Sequence, residues 1–105
     1  MSEMKQLPRE HTIALVQELT DSHAHFAQEA EDAVSKQMEL RERRNVLESA
    51  KSKTDSGMAQ TIIESMVNEL ESEIEKEKER QRLSENNRGY YSEIKKAVEE
   101  ALKEF

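Results

Sequence analysis

The stretch LTDSHAHFAQEAEDAVSKQMELRERRNVLESAKSKTDSG, residues 19–57, decides the fold. Leu19, Phe26, Ala33, Leu40 and Leu47 recur in it at a strict seven-residue spacing, and it closes on the turn-forming run Thr54-Asp55-Ser56-Gly57. A seven-residue apolar repeat keeps one seam of an α-helix facing a neighbouring helix. The residues three before each of these form a second column: Val16, His23, Ala30, Gln37 and Arg44. The two columns make a coiled-coil-like stripe, half apolar and half polar.

Outward from that stripe, no Gly or Pro interrupts the chain between Pro8 and Lys53. Pro8 suits the first turn of a helix, where its missing N–H costs nothing. One helix over 8–53 follows, roughly 70 Å long at 1.5 Å per residue, with residues 1–7 expected to be disordered. Thr20-Asp21-Ser22, three residues that favour caps over helix interiors, mark its weak point. Thr54-Asp55-Ser56-Gly57 offers two N-caps and a residue tolerant of positive φ, enough for a tight helix–helix turn. A second helix is expected over 58–86. After Asn86-Asn87-Arg88-Gly89 breaks it, a short third helix is expected over 90–105. The fold class is therefore all-α, a long antiparallel helical hairpin with a short third C-terminal helix, in a single domain spanning 8–105.

Equal arms and a turn centred near residue 56 place position i opposite roughly 112 − i. That register sets Leu47 near Met66, Leu40 near Leu70 and Ile74, and Val16 near Val98, with Leu7 opposite Phe105. It also sets Arg41 against Glu71 and Arg43 against Glu69. The middle, Ala30 to Gln37 against Glu75 to Arg82, looks nearly bare of apolar residues. Glutamates at alternate positions from Glu69 to Glu79 look locally repulsive at the i,i+4 spacing.

Composition narrows the function classes. Hydrophobic residues make up 34% and charged residues 37%, against roughly 45–50% and 25% in ordinary globular domains. Such a chain builds long solvated helices, not the thick core an enzyme pocket requires. A net charge of −7 argues against direct nucleic-acid or membrane-surface binding. With no cysteine, a disulfide framework, a thiolate zinc site and a Cys nucleophile are excluded. Met1 to Glu10 carries no apolar core of a signal peptide, and a cytoplasmic protein is the expectation.

No catalytic, cofactor or metal residues emerge. His23 and His25 lie on different faces of a helix, and only Asp21 or Glu29 is spaced to join His25, too few ligands for zinc. Arg41, Arg43 and Arg44 are interrupted by Glu42 and lack aromatic neighbours, so they read as partners of the glutamate run. No cofactor is expected and no enzyme activity.

The expectation is a non-enzymatic protein–protein interaction module acting through helix surfaces, as an assembly factor, adaptor or chaperone-like subunit. The alternative is an acidic inhibitor that binds a basic, nucleic-acid-binding cleft of another protein. Ile62, Ile63, Met66, Val67, Leu70 and Ile74 form a stripe wide enough for self-association, most simply as a homodimer. Tyr91, Ile94, Val98, Leu102 and Phe105 are the candidate anchors for a protein partner, on a C-terminal helix free to detach at Asn86–Gly89.

Overall fold

A computed structural model describes residues 10–104 with their side chains. The expectations for residues 1–7, for Pro8 and for Phe105 lie outside the described residues. The chain is all-helical: α1 spans Ser2–Lys51 and α2 spans Gly57–Leu102. The predicted hairpin of two long helices is present, and the predicted third helix is not.

The turn is built by short polar side chains. Ser56 caps α2, its Oγ accepting from the Ala59 N–H at 3.2 Å, while its carbonyl accepts the first α2 hydrogen bond from Gln60 at 3.0 Å. Thr54 Oγ1 accepts from the Ser56 N–H at 3.2 Å, and Gln60 Nε2 donates back to the Thr54 carbonyl at 2.8 Å. These bonds satisfy the donors a helix start leaves open. No glycine has positive φ, so Gly57 serves as the first residue of α2 and its left-handed freedom is unused.

α1 also runs unbroken through Thr20-Asp21-Ser22. Thr20 Oγ1 donates to the Val16 carbonyl at 2.9 Å, and Gln17 Nε2 donates to Asp21 Oδ1 at 2.8 Å. The side chains that compete with helix elsewhere are absorbed here by the helix itself.

Asn86-Asn87-Arg88-Gly89 fails to break α2 for two reasons. A glycine costs a helix about 1 kcal/mol, a small term in an element of 46 residues. More decisively, the seam keeps its phase across the segment: Ile63, Leu70, Glu77, Ser84, Tyr91 and Val98 follow at seven-residue spacing, and each is buried or half-buried. Gly89 itself is exposed, and a Cβ there would meet nothing within 4 Å. Gly89→Ala is therefore expected to stabilise the protein by about 1 kcal/mol. The readout is a higher urea midpoint with an unchanged m-value. A lowered midpoint would mean that the segment needs a glycine after all.

Two compact units divide the chain, one comprising Ala30–Arg82 and the other Met1–Glu29 with Leu83–Phe105. In the first unit the core is Ala30, Ala33, Leu40, Val67 and Ile74, with Gln37 buried among them. The middle that looks bare in sequence is thus densely covered. Alanines let two helices approach closely, and the half-buried stems of Glu77, Arg80 and Gln81 close over the seam. Gln37 Nε2 donates to the Gln81 amide oxygen at 2.8 Å and to the Glu77 carbonyl at 3.3 Å. Its Oε1 accepts from Arg41 at 3.4 Å. A buried amide satisfied on both ends is the kind of polar layer that specifies a helix pairing.

These contacts also correct the register. Gln37 meets Glu77 and Gln81 instead of Glu75, and Lys51 pairs with Glu64 instead of Thr61, so the arms are offset by about one helical turn. The cause lies in the turn, where the bond from Gln60 to Thr54 lays residues 52–56 along the start of α2. Exposed ion pairs of ~0.2–1 kcal/mol do not outweigh that. Arg43 accordingly bonds Glu39 of its own helix at 2.8 Å, and Arg41 bonds Gln37, instead of Glu69 and Glu71.

In the second unit Leu19 is buried, and Val16, His23, Phe26, Val98 and Leu102 are half-buried. The Phe26 and Tyr91 rings stack with centroids 5.6 Å apart and planes 21° from parallel, a favourable offset contact between the two helices. His25 meets the edge of Phe26 at 5.1 Å.

Candidate docking groove

In the Ala30–Arg82 unit the seam is narrower than the apolar surface that α2 brings to it. Positions Val67 and Ile74 of the second stripe are consumed by pairing with α1, and Ile63 and Leu70 are half-buried. Ile62 and Met66 are left over, 54% and 45% exposed. On α1, Val46 falls beside the seam columns, not in them, and is 64% exposed. Val46, Leu47, Met66 and Leu70 form the floor of an open groove of about 630 Å³ between the helices. Sequence reasoning found Met66 and Leu70 but missed Val46, because a lone valine outside both columns carries no periodic signal.

The rim of the groove is Glu39, Glu42 and Arg43 on α1 and Glu69 and Glu73 on α2. Glu39 is engaged by Arg43 at 2.8 Å and by Lys36 at 3.6 Å. Among the described residues no cation stands within ion-pair distance of Glu42, Glu69 or Glu73. The groove therefore pairs an apolar floor with three uncompensated carboxylates.

The glutamates farther along α2 are different. Glu75 takes Lys78 at 3.0 Å, Glu77 takes Arg80 at 3.0 Å, and Glu79 takes Arg82 Nε at 2.9 Å. The expected repulsion is relieved by cations three residues on. The Arg82 hydrogen bond, aided by its charge, holds the Glu79 carboxyl below its ordinary value.

The C-terminal anchor residues are divided. Tyr91 stacks on Phe26, Val98 and Leu102 are half-buried, and Ile94 is 45% exposed. They sit on the continuous α2, with no joint at which to swing out. A small crevice beside them is lined by Thr20, His23, Ser92 and Lys95. Among the described residues no three His, Asp or Glu side chains gather as a metal site, and no helix is long and apolar enough to cross a membrane.

Comparison of the chain with protein-family models, with characterised proteins and with solved structures finds no match.

Proposed function

We propose that the chain is a non-enzymatic protein–protein interaction module, an assembly factor or adaptor that works by presenting the surface of its helical hairpin to another protein. The observation that carries this reading is the groove floored by Val46, Leu47, Met66 and Leu70. Large apolar side chains at 64% and 45% exposure, set side by side and ringed by charge, have the character of a docking surface. The alternative, an acidic mimic occupying a basic cleft, draws less support, because Glu75, Glu77 and Glu79 are already neutralised within α2.

The test is site-specific photo-crosslinking from Val46 in the full chain, in the cells that make it. A defined protein adduct is expected, and it should be lost in Met66→Asp, a change at an exposed position that leaves helicity by circular dichroism intact. Equal capture of the same proteins by a cross-linker at exposed Glu31 would defeat the reading.

A further inference from the structure

We infer that the occupant of this groove is a basic amphipathic helix of another protein, laid between α1 and α2 with its apolar stripe on Val46 and Met66 and its lysines or arginines over the rim. The inference rests on the interaction-module reading and adds the chemistry of the partner.

Charge complementarity decides between occupants. A second copy of this chain in a two-fold dimer would present the same patch to itself. Glu39, Glu42, Glu69 and Glu73 of one copy would face the same four residues of the other, with one arginine, Arg43, per copy. Like charges brought together in a drying interface are repelled, so the self-association expected from Ile62, Met66 and Leu70 is opposed by their own surroundings. An acidic or neutral helix would bury Glu42, Glu69 and Glu73 without a partner. A helix with cations flanking its apolar stripe supplies what the rim lacks. Helix-in-groove recognition needs an apolar strip bounded by two helices, and α1 and α2 provide one here.

The full-length protein is titrated with three labelled helical peptides, read by fluorescence anisotropy. One carries a leucine–isoleucine stripe at i, i+3, i+4 and i+7 flanked by lysines. The second has the same stripe flanked by glutamates. The third is a scrambled version of the lysine peptide, with equal charge and no stripe. The lysine-flanked peptide is expected to bind at least about tenfold tighter than either control, and more weakly as salt is raised. Glu69→Lys/Glu73→Lys should weaken it about tenfold or more, and Met66→Asp should abolish binding, both with unchanged circular dichroism.

Equal binding of the scrambled peptide would overturn the inference, since the attraction would then be charge alone. So would preference for the glutamate-flanked peptide. A dimer by light scattering that Met66→Asp dissociates would also overturn it, in favour of a second copy, while leaving the interaction-module reading standing. Failure of that broader reading shows separately, as position-independent capture in the Val46 cross-linking experiment.

Discussion

Leu40→Ala is expected to destabilise the protein by about 3 kcal/mol, within the ~2–5 kcal/mol range for truncating a buried leucine. Leu40 is 1% exposed, the largest fully buried side chain among the described residues. It occupies the seam in the same unit as buried Val67 and Ile74. Alanine is the better helix former, but that gain is a few tenths of a kcal/mol and leaves the balance unchanged. Total stabilities of small domains are about 5–15 kcal/mol, so the loss is a large fraction of what holds the hairpin together. Urea unfolding followed at 222 nm reads it as a lower midpoint. Met38→Ala is the control: Met38 sits two positions away in α1 at 65% exposure and should move stability by no more than about 0.5 kcal/mol. Equal effects of the two substitutions would mean that α1 has no buried seam at all.

Ala33→Leu is expected to cost about 2 kcal/mol, although it adds apolar volume at a position where coiled coils accept leucine. Ala33 is 0% exposed, so the added carbons have no solvent to enter and must push the helices apart. The same movement stretches the Gln37 bond to the Glu77 carbonyl, already 3.3 Å long, and strands a buried amide. Thermal and urea denaturation should both show the loss. A gain in stability would instead mark the seam as loose enough to widen around a larger side chain.

The seam was legible from residues 19–57 because burial in a helix pair follows a period that can be counted. All ten residues of the two α1 columns, from Val16 to Leu47, are buried or half-buried. The α2 seam was equally countable, through Ser84 and Tyr91, but Gly89 and the asparagines drew attention to local propensity. Tertiary pairing overrides a cost of that size. The register was not legible, since it depends on whether Thr54 or Ser56 caps α2 and where Gln60 bonds back. Those are choices among near-equal local geometries. The groove was missed for a different reason: the expected register already sets Val46 opposite Met66, but Val46 stands outside both columns, where the period carries no signal. The acidic run was misread by counting partners four residues on, where Lys78, Arg80 and Arg82 stand three residues on.

The Gln37 layer also limits how the hairpin is able to respond to load. Slipping one arm by a heptad would move Gln37 from Glu77 and Gln81 to Leu70 and Ile74, two apolar residues, or to Ser84 and Arg88. Against the leucine and isoleucine its amide loses the Gln81 side-chain acceptor and keeps a main-chain carbonyl of the kind that Glu77 supplies, at a cost of about 1 kcal/mol for the lost bond. Seven-residue repeats make such slips cheap in a uniform seam. Here the Gln37 layer makes the two directions unequal: a slip toward Leu70 and Ile74 costs the hydrogen bond that Gln81 accepts, whereas one toward Ser84 and Arg88 meets polar side chains, so the Ala30–Arg82 unit resists axial load more in one direction than in the other.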